Sequence, residues 1–238
     1  MYEELSSPVA PETAALHAQE LQSFSQPGEW WTAAERTAMA AESRKERCAA
    51  GIQESIGDEA LAESAELSET ARRVIGAVAL GGTDIDREYC HEAIDDLGEE
   101  PYVELVGVVA RLAHLDVFAR GVGIAAPALA APVDGTQPRQ QRPAQASDEG
   151  FFVASVPPAP AGGDLARWIY GGDFPAANIL RSLSLVPDEA RRLNAVMSIE
   201  YCSMAEITDM SYSPQPPLSR PQVEFVAARV SALNQCFY

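Results

Sequence analysis

Glu99–Gly123 reads EEPYVELVGVVARLAHLDVFARGVG, the most apolar long stretch of this 238-residue chain. It is too long for an ordinary strand, and its apolar residues recur at helical rather than alternating spacing. A helix this apolar belongs near the centre of a core. The text on either side agrees. TDIDREYCHEAIDDLG (83–98) predicts a strongly acidic helix running to Gly98. LSETARRVIGAVAL (67–80) sets Ser68 as an N-cap ahead of an apolar stripe and stops at Gly81-Gly82. WWTAAERTAMAAESRKERC (30–48) places Glu35 three residues after Thr32, a capping box, with Ala34, Ala38, Met39 and Ala41 on helical spacing. Trp30 and Trp31 precede that cap, where an aromatic staples the helix entry. HAQELQSF (17–24) follows Pro11, a first-turn residue.

From Pro127 the composition changes to Pro, Ala, Gln and Gly, a linker or a wrapping arm, with Phe151 and Phe152 as residues that could pin it to the body. Helical text then resumes in DLARWIYGG, AANILRSLSL, PDEARRLNAVMSIEYCSMAEI and SRPQVEFVAARVSALNQCFY. In the last, Ser219 and Gln222 form a second capping-box arrangement around Pro221. No segment alternates with period two for long. The expectation is an all-α fold, a helical array of two related units (1–126 and 161–238) joined by the stretch 127–160.

Composition bounds the function. Nearly half of the chain is apolar (47%), enough to bury a real core, while aromatics are only 7%. Thirty-five acidic against 17 basic residues leave a net charge of −18, which argues against nucleic acid and against an anionic membrane surface. No apolar run approaches the roughly 20 residues that span a bilayer. MYEELSSPVA at the start has neither a basic nor an apolar region of a signal peptide, so a cytoplasmic protein is expected. The cysteines (Cys48, Cys90, Cys202, Cys236) are far apart and expected to be reduced.

Glu224 and Cys236 lie 12 residues apart on the final helix. A straight helix would leave them about 120° apart around the axis and about 18 Å apart along it. A working pair therefore needs a bend after Asn234, or the cysteine in a following turn. Cys90-His91, beside Glu88 and Glu92, lacks metal-ligand spacing and reads as part of an acidic solvated face. His114 reads as a hydrogen-bonded core or interface residue, and it stands two positions from Asp116, on another face. No metal or cofactor is expected.

WWTAAERTAMAAESR, YVELVGVVARLAHLDVFARGVG, NILRSLSLVPDEARRL and VEFVAARVSALNQCFY together resemble the carboxymuconolactone decarboxylase/AhpD-like superfamily, most of all its two-unit, alkylhydroperoxidase-related branch. The resemblance covers most of the chain outside 127–160. It implies an all-helical homo-oligomer (dimer, trimer or hexamer), acting as a thiol peroxidase or disulfide oxidoreductase. The substrate would be a peroxide or small disulfide, and the partner a thiol reductant protein. Peroxidase members carry Glu, then Cys-x-x-Cys, then His, and Glu224 and Cys236 match the spacing of the Glu and the first Cys. The resemblance makes Cys236 the resolving thiol and Glu224 a proton relay. The second Cys, which would attack the peroxide, and the His do not occur within these 238 residues. As written, the chain is expected to be inactive or impaired, whether as a truncation, a selenocysteine read-through product or a true remnant. In the first unit Gly51 and Ser55 stand where the partner thiol and the His would be after Cys48, so that unit is expected to serve packing. Relatives are expected to carry a His where Ala119 stands. The alternative is a non-catalytic oligomeric binding or assembly homologue. A cofactor-free decarboxylase or lyase ranks last, with Arg181, Arg191 and Arg192 the nearby cations in the second half.

Overall fold

A computed structural model of the chain describes residue 2 and residues 9–133, 135, 138–203, 206–213, 217–233 and 236. The sequence readings of MYEELSSPVA, and of Asn234, Phe237 and Tyr238, lie largely or wholly outside these residues. The fold is all-α: α1 Pro11–Ser23, α2 Ala33–Ala49, α3 Glu69–Ala79, α4 Arg87–Leu97, α5 Glu99–Gly121, α6 Gly163–Tyr170, α7 Asn178–Arg181, α8 Pro187–Glu200 and α9 Arg220–Leu233. A 3₁₀ turn, Glu59–Glu63, follows α2. The described β-pairing is a single antiparallel bridge between Ser147 and Ser155. No described helix is long and apolar enough to cross a membrane.

The local chemistry expected at the helix ends is present. Thr32 Oγ1 accepts from the Glu35 amide at 3.3 Å, and Glu35 Oε2 accepts from the Thr32 amide at 2.8 Å, closing the capping box of α2. Ser68 Oγ caps α3 through the Ala71 amide at 3.1 Å. Pro11 opens α1. At α9, Gln222 Oε1 accepts from the Ser219 amide at 2.8 Å. α7 is shorter than AANILRSLSL implies, with turns beyond Arg181. Its serines divert the backbone: Ser182 Oγ donates to the Ile179 carbonyl, and Ser184 Oγ accepts from the Val156 amide at 2.9 Å.

The chain divides into two compact units, Met1–Asn194 and Ala195–Tyr238. In the first, α5 is the central helix, contacting α1, α2, α3 and α4. Tyr102, Leu105, Val108, Leu112 and Leu115 are buried on it, in one stripe along the helix. The Pro-rich stretch is a wrapping arm laid on this unit. The Val133 amide donates to the Ser25 carbonyl and the Gln140 amide to the Glu29 carbonyl, while Arg142 pairs with Glu99 and Glu100.

Charged residues also lie inside the first unit. Glu20 (α1), Arg36 (α2), Glu104 and Arg111 (α5) and Glu189 (α8) are all buried, in an alternating chain. Glu104 pairs with Arg36, Arg36 reaches Glu189 at 2.9 Å, Arg111 Nε holds Glu189 at 2.8 Å, and Arg111 also pairs with Glu20. Two glycines leave room for it. A Cβ on Gly107 would lie 2.7 Å from Glu189 Oε2, and one on Gly28 would overlap Glu104 Oε1. A second buried set joins Arg44 to both oxygens of Asp116, at 3.0 and 2.6 Å, and to Asp58 at 2.5 Å.

Candidate functional site

A cavity of about 470 Å³ opens in the first unit, within the size range of small-molecule sites. α4 contributes Cys90 and Arg87, and α5 contributes Tyr102, Val103 and Val106. The arm supplies Phe151 and Phe152, and Arg181 ends α7 at the wall. The arm is held over the cavity by its backbone. Ser147 and Ser155 exchange two amide–carbonyl bonds of 3.0 Å, which pins the loop 148–154 at its base. Asp148 Oδ1 accepts from the Gly150 amide at 2.8 Å, and Glu99 Oε1 accepts from the Ala154 amide at 2.6 Å.

Two arginines fasten this loop. Arg87 donates to the carbonyls of Phe151 and Gly150, both at 3.1 Å, and lies 4.9 Å from the centre of the Phe152 ring. Arg181 is buried; its Nη2 donates to Ser155 Oγ at 2.9 Å and pairs with Glu149 Oε1 at 2.6 Å. Hydrogen bonding from Arg181, reinforced by its charge, holds the Glu149 carboxyl below the usual carboxylate range. The Arg181 guanidinium also lies 5.3 Å from the centre of the Phe151 ring. Its buried Nε has no hydrogen-bond partner among the described residues. Phe151 and Phe152 thus do pin the arm, as the sequence suggests, but they do so over a cavity and with one face in solvent.

Cys90 borders the cavity and is buried; burial pushes its thiol up, against the hydrogen bond with Tyr102. It is a protonated, weakly nucleophilic thiol at neutral pH. His91 beside it is exposed, so the adjacent pair diverges. Burial also raises the Cys48 and Cys202 thiols.

In the second unit, Glu224 accepts from the Tyr201 hydroxyl at 2.6 Å and pairs with Arg220 Nε at 2.5 Å. These bonds hold its carboxyl below the ordinary range. Arg220 Nη1 reaches Cys202 Sγ at 3.6 Å and its Nη2 donates to the Ile207 carbonyl at 3.1 Å. Cys236 follows α9, donates its amide to the Ser231 carbonyl at 2.9 Å, and is exposed. The expected partners are therefore held differently: Glu224 lies in the first turns of α9 among Tyr201 and Arg220, and Cys236 lies beyond its far end. From Glu224 to Leu233, α9 alone rises about 14 Å. The cysteine meets the Glu224 side of the helix in none of the described hydrogen bonds.

The three arginines of the lyase reading serve separate partners. Arg181 holds Glu149 and Ser155, Arg191 stacks on Trp168 at 4.6 Å, and Arg192 pairs with Glu20 at 3.0 Å. The cavity had weak signals in sequence. Arg87 and Cys90 were legible as members of a helix and Phe151-Phe152 as an anchor, but their convergence with Arg181 depends on how the arm runs. No protein-family model, curated protein or solved structure matches this chain.

Proposed function

We propose that the first unit is a receptor for a small, largely apolar molecule, so that the chain belongs to the binding rather than the catalytic class. The observation that carries this reading is the cavity of about 470 Å³ beneath the pinned Phe151-Phe152 loop. Its walls are Val103, Val106, Leu183 and aromatic rings, and its polar groups are few and localised, the pattern of ligand sites. Its thiol, Cys90, is kept protonated, which speaks for containment over covalent chemistry. The test is binding of the neutral fluorophore N-phenyl-1-naphthylamine, followed by emission enhancement. Val106→Trp fills the cavity and is expected to weaken binding at least tenfold while far-UV circular dichroism stays unchanged. Unaltered binding by the folded variant overturns the reading.

A second reading is the thiol peroxidase or disulfide oxidoreductase that the sequence resemblance implies, with its homo-oligomer and thiol reductant. The exposure of the Cys236 thiol favours it. Peroxide attack needs a thiolate, and a sulfenic acid needs a second thiol to resolve it. On this reading the 238-residue chain consumes little hydrogen peroxide with dithiothreitol, and Cys236→Ser removes the consumption that remains. Equal consumption by the variant and the parent chain removes Cys236 from any such cycle.

A further inference from the structure

Arg181 is an anion anchor only half used. Arg181 is more than nine-tenths buried, lines the cavity and carries an Nε with no hydrogen-bond partner among the described residues. The neighbouring Nη2 is held by Ser155 Oγ and by Glu149 Oε1, which reaches it from the loop that covers the cavity. Nε and one Nη of a guanidinium form an edge whose spacing matches the two oxygens of a carboxylate. Only one of those two donors is satisfied in this state, by the Ser155 hydroxyl and by the Glu149 carboxylate.

We propose that the cavity takes a monocarboxylic acid with an apolar body, whose carboxylate replaces Glu149 on the Nε–Nη2 edge of Arg181. This names the ligand class for the receptor reading above and rests on it. Glu149 is then an internal stand-in for the ligand. Its side chain keeps about a third of its surface in solvent (32%), so it can be rehydrated when displaced, whereas the arginine it leaves cannot. The exchange conserves charge: one carboxylate leaves the guanidinium and another arrives, and a buried donor gains its missing acceptor. A single negative charge is favoured because the other cation, Arg87, has both Nη groups committed to the Phe151 and Gly150 carbonyls. The apolar body lies along Val103, Val106 and Leu183. Since Glu149 sits between the Ser147–Ser155 bridge and Phe151, its release also frees the loop tip over the cavity.

Isothermal titration of the full chain with a matched pair, decanoate and 1-decanol, tests this. Decanoate is expected to bind at least tenfold tighter than the alcohol. Arg181→Gln should erase that preference. Because this change also removes the Ser155 contact and could disturb the fold, Glu149→Gln supplies an independent measure. It should tighten decanoate at least threefold and leave 1-decanol unchanged. Equal binding of acid and alcohol by the parent chain, or no gain for decanoate in Glu149→Gln, overturns the inference. If neither ligand binds while N-phenyl-1-naphthylamine does, the ligand class falls and the receptor stands; if the fluorophore fails as well, both fall.

Discussion

Glu29 shows how one side chain records its surroundings. Its Oε1 accepts from the Asp188 amide at 2.9 Å, capping the start of α8. Burial pushes its carboxyl up to about 7, the hydrogen bond from Asp188 working against the shift and the charges of Asp188 and Glu104 adding to it. In the unfolded chain the same group titrates near 4.3. Between those values the folded state holds a proton that the unfolded state has released. Stability from this group is therefore complete below about pH 4.3 and is lost as pH rises through about 7. Glu29→Gln keeps an acceptor without the charge. Relative to the parent chain it should gain on the order of 1 kcal/mol by pH 8, allowing for the partial exposure of the side chain, and little at pH 4. Urea midpoints at the two pH values measure the difference. An equal effect at both would mean that the carboxyl keeps its ordinary affinity. Nothing in the text around Glu29 signals this, because its partner Asp188 lies more than 150 residues on.

At the scale of the element, α5 reverses a rule of helix propensity. Alanine in a helix interior is ordinarily better than glycine by about 1 kcal/mol. At Gly107 the added methyl would meet Glu189 Oε2 at 2.7 Å and its Cβ and Cγ at 3.1 Å. The carboxylate cannot retreat without leaving Arg36 or Arg111. Gly107→Ala is thus expected to destabilise by about 1–3 kcal/mol, read as a fall in the thermal midpoint. A rise would show that Glu189 has room to move. The helix itself was legible: the Glu99–Gly123 text predicts it, and the structure forms α5 over Glu99–Gly121. Its polar positions were a usable hint, since Glu104, Arg111 and Asp116 interrupt the most apolar segment of the chain. Reading Asp116 only against His114 missed its pairing with Arg44, which lies on α2. α9 has the opposite character. Its Phe225, Val226, Val230 and Leu233 are exposed, so its apolar residues do not mark a buried stripe within this chain.

Across the first unit, the buried ion chain ties α1, α2, α5 and α8 together through Glu20, Arg36, Glu104, Arg111 and Glu189. Burial alone would raise the Glu189 carboxyl, but Arg111 and Arg36 outweigh it and hold it low; in Glu104 burial prevails over Arg36 and the shift is upward. Removing the shared acceptor leaves two buried guanidiniums short of charge. Glu189→Gln is expected to cost about 3–5 kcal/mol and to lower the thermal midpoint accordingly. Its effect should persist at high salt, because buried pairs are poorly screened. A loss that vanishes in 1 M sodium chloride would mean that water reaches the cluster.

What the sequence by itself determined is local: helical periodicity, the Thr32–Glu35 and Ser68 caps, the Gly81-Gly82 stop and the Pro-rich break. Each of these rests on groups within a few residues of one another, whose hydrogen bonds form whatever the distant chain does. The ion chain, the arm laid on the first unit and the cavity under Phe151 and Phe152 were decided only by tertiary structure. Arg36 finds Glu104 and Glu189 at separations of 68 and 153 residues, and Arg87 meets the loop 63 and 64 residues on. A charged side chain in text carries no address for its partner; desolvation makes the pairing obligatory, and the packing of the helices selects which partner it is.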